Sequence, residues 1–201
     1  MAGGRKKEFD KQEALIEATK IFWKKGYLGA SLTDLIQAMG INKPSLYATF
    51  GNKEQLFIQV TDYYLAQFAT PSEVHLLDSK LSQKQGLKAY IMARVKNQCR
   101  SDMPRGCFIA LCASESEGGN LPGSAKSRID NILEDAYSNL LSFFKQYDVA
   151  PKNKTDSVSI EAKTLSVFTL LQGTAAMARL GKSPEELEII VDILIKGMAL
   201  D

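Results

Sequence analysis

The stretch Ser31-Leu-Thr-Asp-Leu-Ile-Gln-Ala-Met-Gly-Ile-Asn-Lys-Pro-Ser-Leu-Tyr-Ala-Thr-Phe50 decides the fold of this chain. It reads as two short helices, about 32–39 and 43–49, joined by a glycine turn. Ser31 stands where a helix cap is needed, and Asp34 follows three residues on, a Ser/Thr-x-x-acid start signal. Leu32, Leu35, Ile36 and Met39 then recur at i, i+3, i+4 and i+7, an apolar stripe of helical period. Gly40 can adopt the left-handed backbone that stops a helix, and Ile41 buries the turn. Asn42 caps the second helix, and Pro44 is tolerated in its first turn. Leu46 and Phe50 are expected to point inward, leaving Lys43, Ser45, Tyr47, Ala48 and Thr49 for solvent. Such a face suits entry into a DNA major groove, as in a helix-turn-helix reader.

Working outward, a first helix is expected from about Asp10 to Lys25, with Leu15, Ala18 and Phe22 on one face and Gly26 ending it. A fourth starts near Asn52 and carries Leu56, Phe57, Val60, Tyr64 and Phe68 before Pro71. Helical segments follow at 82–101, 107–116, 124–147, 159–180 and 184–199, broken by Asp102–Gly106, Gly118–Gly123, a polar loop at 148–157 and Gly181–Pro184. Ser183 caps the last helix and Pro184 takes its first position. No strand-like alternation appears. The expectation is an all-α protein of about nine helices, with a helix-turn-helix domain at 1–51 and an effector-binding and dimerisation domain at 52–201. Residues 1–8 read as a flexible basic arm.

The composition is that of a globular protein, 45% hydrophobic and 24% charged. Residues 1–60 hold nine of the 25 Lys/Arg and six of the 23 Asp/Glu, so the basic excess lies with the candidate reader. No apolar run reaches the ~18 residues of a membrane span, and no apolar segment follows the basic start as in a secretory signal. Three cysteines without dense spacing suit a reducing, cytoplasmic setting.

From Gly4-Arg-Lys-Lys7 and Phe9-Asp10, through Ala18, Phe22-Trp23, Gly26-Tyr27, Ser31-Leu32, Asp34-Leu35, Gly40-Ile41 and Ser45-Leu46-Tyr47, to Phe50, Lys53-Glu54 and Leu56-Phe57, the chain resembles the TetR family of transcriptional regulators. The resemblance covers residues 4–60 with specific motifs and the remainder in length and helical character. It implies a homodimeric, cytoplasmic regulator, usually a repressor, that binds a palindromic operator in double-stranded DNA and is released by a small-molecule inducer. It assigns Lys43 and Thr33 to base edges, and Ser45, Tyr47 and Lys53 to phosphates; Pro44 and Thr49 complete the candidate DNA-binding face. The chemistry is compatible, since lysine donates to guanine O6 and N7, and threonine offers a hydroxyl and a methyl. Arg5, Lys6 and Lys7 can reach a neighbouring minor groove or the backbone.

The resemblance also makes the penultimate helix half of a dimer interface, for which Leu165, Phe168, Leu171 and Met177 are candidates, with Ile190 and Leu194 from the last helix. An effector pocket among the central helices has Cys107, Phe108, Leu111, Cys112, Tyr137, Phe144 and Gln172 as candidate lining. Cys107 and Cys112 read first as small core hydrophobes. The Arg105-Gly-Cys107 placement also resembles a branch of the family that contains electrophile- and oxidant-responsive members, so a thiol-switched repressor is the alternative.

No metal or cofactor site is expected, because His75 lies apart from the cysteines and no CxxC spacing occurs. An enzyme is not expected either: there is one histidine, no Ser/His/Asp ordering and no phosphate-cradling glycine loop. A helical ligand-binding or catalytic protein without a DNA-binding role is the remaining alternative. Glu115 and Glu117, beside Gly118-Gly119, read as a solvated helix end.

Overall fold

The computed structural model describes residues 9–147, 158–198 and 200. The basic arm with Arg5, Lys6 and Lys7, and the loop 148–157, lie outside the described residues. Within them the chain is helical throughout: α1 (Lys11–Gly29), α2 (Leu32–Met39), α3 (Lys43–Phe50), α4 (Lys53–Tyr64), α5 (Val74–Leu77), α6 (Gln83–Gln98), α7 (Phe108–Glu117), α8 (Gly123–Gln146), α9 (Ile160–Arg179) and α10 (Pro184–Gly197). A wide π-type turn, Leu65–Ala69, and a tight turn, Thr70–Ser72, carry α4 onward to Pro71. Nine of these helices have eight residues or more, as the periodicity predicts. The four-residue α5 is too short to leave a periodic signal. Among the described residues no helix is long and apolar enough to cross a membrane.

The helix starts follow from local side chains. Asp10 accepts from the Gln12 and Glu13 amides, at 2.7 and 3.2 Å. Ser31 Oγ accepts from the Asp34 amide at 3.0 Å, while the Asp34 carboxylate accepts from the Ser31 amide at the same distance. Asn42, Asn52, Ser82, Ser159 and Ser183 cap α3, α4, α6, α9 and α10 in the same manner. Gly40 ends α2 with φ 64 and ψ 26, the left-handed stop that its position predicts. Gly26 has φ 73 and ψ −176 and breaks α1, after which one further turn runs to Gly29. The segment expected at 82–101 ends at Gln98, where the Cys99 amide turns back to the Val95 and Lys96 carbonyls.

Two apolar clusters result. The first gathers α1 to α4 with Phe68, then Cys107, Phe108, Ile109 and Cys112 of α7 and its start, and Ala125, Ile129 and Ile132 of α8. Its centre is aromatic: Trp23 meets Tyr64 at 4.8 Å, Phe57 meets Phe108 at 5.6 Å, and Tyr64 meets Phe108 at 5.4 Å. The second cluster joins Leu76, α6, Leu140, Phe143 and Phe144 of α8, and Val167, Ala178, Leu187, Val191 and Ile195 of α9 and α10. Helix α8 therefore runs through both cores, its first half in one and its second half in the other. The helix-turn-helix is not an isolated module, because its core is continuous with α7 and α8.

Asp34 is held by Lys25 of α1, by the Ser31 hydroxyl and by the Ser31 amide, which together bring its pKa down to about 2. An unfolded aspartate titrates near ~3.9. Because the folded value is the lower one, this site stabilises the folded state above about pH 4 and loses that effect as pH falls through about 2. Carboxyl-detected NMR of the whole chain is expected to give Asp34 a midpoint of about 2. A midpoint near ~3.9 would show that the capping box and the Lys25 pair are open in solution.

Candidate nucleic-acid interface and effector cavity

Helix α3 presents the face that the sequence predicts. Leu46 and Phe50 are buried, Lys43, Pro44, Tyr47 and Ala48 are exposed, and Ser45 and Thr49 are half-buried beside them. Tyr47 is 45% exposed although aromatic, and the Lys43 ammonium lies 5.9 Å from its ring centroid. Thr33 is exposed in the first turn of α2. Lys53 stands differently. It opens α4 with its ammonium 4.3 Å above the Tyr27 ring, half-buried, and desolvation lowers its pKa while the Glu115 carboxylate pulls it back up.

Tyr27, Lys53 and Glu115 mark the joint between the reader and the rest of the molecule. Glu115, on the last turns of α7, accepts from the Tyr27 amide at 2.7 Å and from the Leu28 amide at 3.2 Å. Those amides are free because Gly26 has just broken α1. Glycine suits the position because its φ is positive, and a Cβ there would push the Glu115 carboxylate off the two amides. Arg179 of α9 donates to the Trp23 carbonyl at 3.2 Å, tying down the preceding turn. On the other side of the joint Arg128 of α8 grips Asp62 of α4 at 2.7 and 2.9 Å, and Ser124 donates to Glu54. Glu115 is therefore not the solvated helix end that its glycine-rich neighbourhood suggests. Its partners lie almost ninety residues earlier in the chain, where no local pattern can indicate them.

The opposite end of α7 meets a cavity of about 260 Å³. It lies on the seam between the two cores, walled by Leu65, Ala69, Cys107, Ile109 and Ile132 from one and by Tyr90, Leu140, Phe168 and Leu171 from the other. Cys107 and Gln172 are thus in the wall. Phe108, Leu111, Cys112, Tyr137 and Phe144 are not. Phe108 and Cys112 point into the first core, and Phe144 into the second. Leu111 is partly exposed, one helical step off the wall, and Tyr137 packs edge-on against Phe168 at 6.1 Å. Three wall residues that sequence reading passed over are Arg94, Gln98 and Tyr90. Their spacing, i, i+4 and i+8 along α6, puts them on one helix face, but the helix is polar elsewhere too, so the sequence does not single this ridge out.

The cysteines are free and buried. Cys107 stands just before α7 without a side-chain cap bond to it, and its sulfur accepts from the Tyr64 hydroxyl at 3.4 Å. Burial pushes the Cys112 thiol far above the ordinary range. Arg105 donates to the Lys182 carbonyl at 3.4 Å, on the α9–α10 turn.

On α9 and α10 the expected interface residues separate. Leu165 is 57% exposed, and Ile190 is exposed with it. Phe168 and Leu171 instead turn into the cavity wall, because α9 is apolar on two faces and these two meet α8 and α6. Met177 and Leu194 are half-buried against the second core. The outward apolar face also includes Ile189, Ile193 and Leu180, at 64%, 67% and 75% exposure, with Gly173 and Ala176 between them and Leu165.

Residues 14–60 match the sequence profile of the bacterial regulatory proteins of the tetR family. The HTH-type transcriptional repressor ComR of Escherichia coli (strain K12) is 41% identical over 127 residues, which is 62% of this chain and 60% of that repressor. The HTH-type transcriptional regulator YezE of Bacillus subtilis (strain 168), itself uncharacterized, is 30% identical over 183 residues, covering 88% and 93% of the two chains. Among solved structures, a cysteine-substituted form of the TetR family transcriptional regulator CifR, complexed with 26bp double-strand operator DNA, superposes with a TM-score of 0.81. It is 28% identical, covering 98% of this chain and all of that one. This chain belongs to the tetR family of bacterial regulatory proteins.

The Glu115 joint is open to a direct test. A carboxylate holding two amides is worth about 2 kcal/mol when lost, so Glu115→Ala is expected to lower the urea unfolding free energy by that amount. Glu115→Gln, which keeps one acceptor oxygen, should fall between. A loss within ~0.5 kcal/mol, the range of ordinary surface changes, would show that the joint is held elsewhere.

Proposed function

We propose that this tetR-family chain is a cytoplasmic transcriptional regulator, and a repressor in its usual mode, that binds a palindromic operator as a homodimer and is released by a small molecule in the α6–α9 cavity. It acts by binding rather than catalysis. The observation that carries the DNA-binding part is the α3 face: an exposed lysine and tyrosine on a short helix whose other side is locked into the core by Leu46 and Phe50. Lys43 and Thr33 are assigned to base edges. Ser45 and Tyr47 are assigned to phosphates, with Pro44 and Thr49 completing the contact face and Lys53 adding charge at the α4 start. ComR is a repressor and CifR has been seen on operator DNA, which supports extending both roles to this chain.

Dimerisation follows from the outward apolar face of α9 and α10. Leu165, Leu180, Ile189, Ile190 and Ile193 leave more apolar surface exposed than one chain needs, and Gly173 and Ala176 allow a second helix pair to approach closely. A two-fold dimer presents two copies of α3 to successive major-groove faces, roughly 34–36 Å apart.

Release is a population shift. The cavity is walled by Cys107, Ile109 and Ala110 at one end of α7, and Glu115 at the other end fixes the backbone of Tyr27 and Leu28. A ligand that favours a different seating of α7 changes the orientation of the reader through that carboxylate, together with α4 and its Arg128–Asp62 tie.

A titration of the purified protein on DNA from upstream of its own gene, against scrambled competitor at two salt concentrations, tests the reading. Selective binding that weakens with salt, at about −0.9 per neutralised phosphate on logarithmic axes, is expected; binding no tighter than to scrambled DNA and to a random-sequence selection would refute it. On the selected operator, Lys43→Ala should lose about 1–3 kcal/mol and relax base preference at one position of each half-site. Tyr47→Phe should weaken operator and random DNA alike. Ile193→Glu is expected to yield monomers in sedimentation, and an intact dimer would place the interface on another face.

A further inference from the structure

We propose that the cavity between the two cores selects a small organic carboxylate with an apolar body and a hydroxyl or N–H group near its charged end, bound by Arg94 and Gln98. The inference rests on the effector reading of that cavity and adds the chemistry of its occupant.

Tyr90, Arg94 and Gln98 form one ridge of α6 facing the cavity. Arg94 is enclosed by protein and yet keeps part of its surface accessible, which is the surface on the cavity. Among the described residues it makes no hydrogen bond and no ion pair. A permanently charged guanidinium in such a place is unfavourable without an anionic partner. Burial acts against its charge, but a guanidinium titrates too far above neutrality to lose its proton, so the side chain stays cationic. The other charged groups in the wall are differently disposed. Arg128 is occupied by Asp62, Asp135 is exposed, and Glu73 is half-exposed and not within ion-pair distance of Arg94. Among the described residues Arg94 is the cation of the wall that has no ion pair, and Glu73 is the carboxylate that acts on it from beyond ion-pair distance.

Gln98 supplies the second observation. Its Nε2 donates to the Leu171 carbonyl at 3.0 Å, and its buried Oε1 has no partner. Reversing the amide would set two oxygens against each other, so the orientation is fixed by Leu171 and the free atom is an acceptor. An acceptor four residues beyond Arg94 on the same face calls for a ligand with a donor close to its anion. Ile132, Leu133 and Leu140 of α8 and Phe168 and Leu171 of α9 give the wall an apolar stretch for the ligand's body, beside the neutral polar groups of Asn139 and Gln172. At about 260 Å³ the cavity lies below the ~300–1,000 Å³ of drug-sized sites, so the ligand is small.

Isothermal titration calorimetry on the full-length dimer, with 3-phenyllactate and a C4 to C10 series of 3-hydroxyalkanoates as probes, tests this. Their methyl esters and a primary amine of matched length serve as controls. At least one acid is expected to bind, about tenfold or more tighter than its ester, because a charge-assisted bond to Arg94 is lost in the ester. Arg94→Gln should erase that preference, Arg94→Lys should retain part of it, and Gln98→Leu should erase the advantage of the hydroxyl acid over its deoxy analogue. Far-UV circular dichroism checks each variant, and the acid-to-ester ratio on the unaltered protein needs no variant at all. The proposal is overturned if no acid of the series binds, if ester or amine binds as tightly as the acid, or if Arg94→Gln keeps the preference. Adding the bound acid to the operator titration separates the two readings. Operator binding without acid binding defeats the carboxylate assignment alone, whereas acid binding that leaves the operator complex intact defeats the effector role alone.

Discussion

One carboxylate joins the two halves of this chain. Glu115 reaches from the end of α7 to the two amides left open where Gly26 breaks α1, and through them it fixes where α1 stops and how the turn into Ser31 begins. The position of α2 follows, because Lys25 just before the break pairs with Asp34 at 2.7 Å in the capping box. The position of α3 follows from α2 through Gly40 and Ile41. The recognition face is therefore set by a contact made almost ninety residues away in the chain, on a helix whose other end forms part of a cavity wall.

The strength of the linkage comes from the core more than from the charges. Arg128–Asp62 is a surface pair, and such pairs contribute about 0–1 kcal/mol. The aromatic cluster of Trp23, Phe57, Tyr64 and Phe108 is wholly buried and spans α1, α4 and α7, and close-packed interiors transmit displacement rather than absorb it. Glu115 and Arg179 then act as locators: they give direction to a movement that the packing makes collective. A rigid α7 between cavity and reader needs no further relay.

What the sequence made legible follows the range of the interaction. The caps at Ser31, Asn42 and Ser183, the stop at Gly40 and the inward pair Leu46 and Phe50 all depend on residues within a few positions, and the structure has them as read. Helix α6 was read too long, because nothing in Cys99-Arg-Ser breaks a helix by itself; the stop comes from the Gly106 amide returning to the Gln98 carbonyl. Helix α9 shows the limit of periodicity. Its apolar residues cover two faces, so Leu165 and Phe168 were indistinguishable in the sequence although one points to solvent and the other to the cavity. Glu115 and the free acceptor of Gln98 were invisible for a stronger reason: each is defined by a partner, or the lack of one, that only the fold brings near.

The cavity and the reader are also bound by thermodynamic symmetry. If a ligand on the inner wall lowers operator affinity by some factor, operator DNA must lower ligand affinity by the same factor. The site is therefore best suited to a ligand whose binding is moderate in the free dimer and weaker on DNA. A guanidinium without an ion pair and one unpaired amide oxygen, set beside an apolar stretch of wall, fit that demand. They give chemical selection through charge and one directed bond, while the modest volume caps the apolar contribution that would otherwise hold the ligand tightly in both states. Shifting a population requires differential affinity, and the wall segment that can differ between states is the one formed by Cys107, Ile109 and Ala110 on α7, the helix that also carries Glu115.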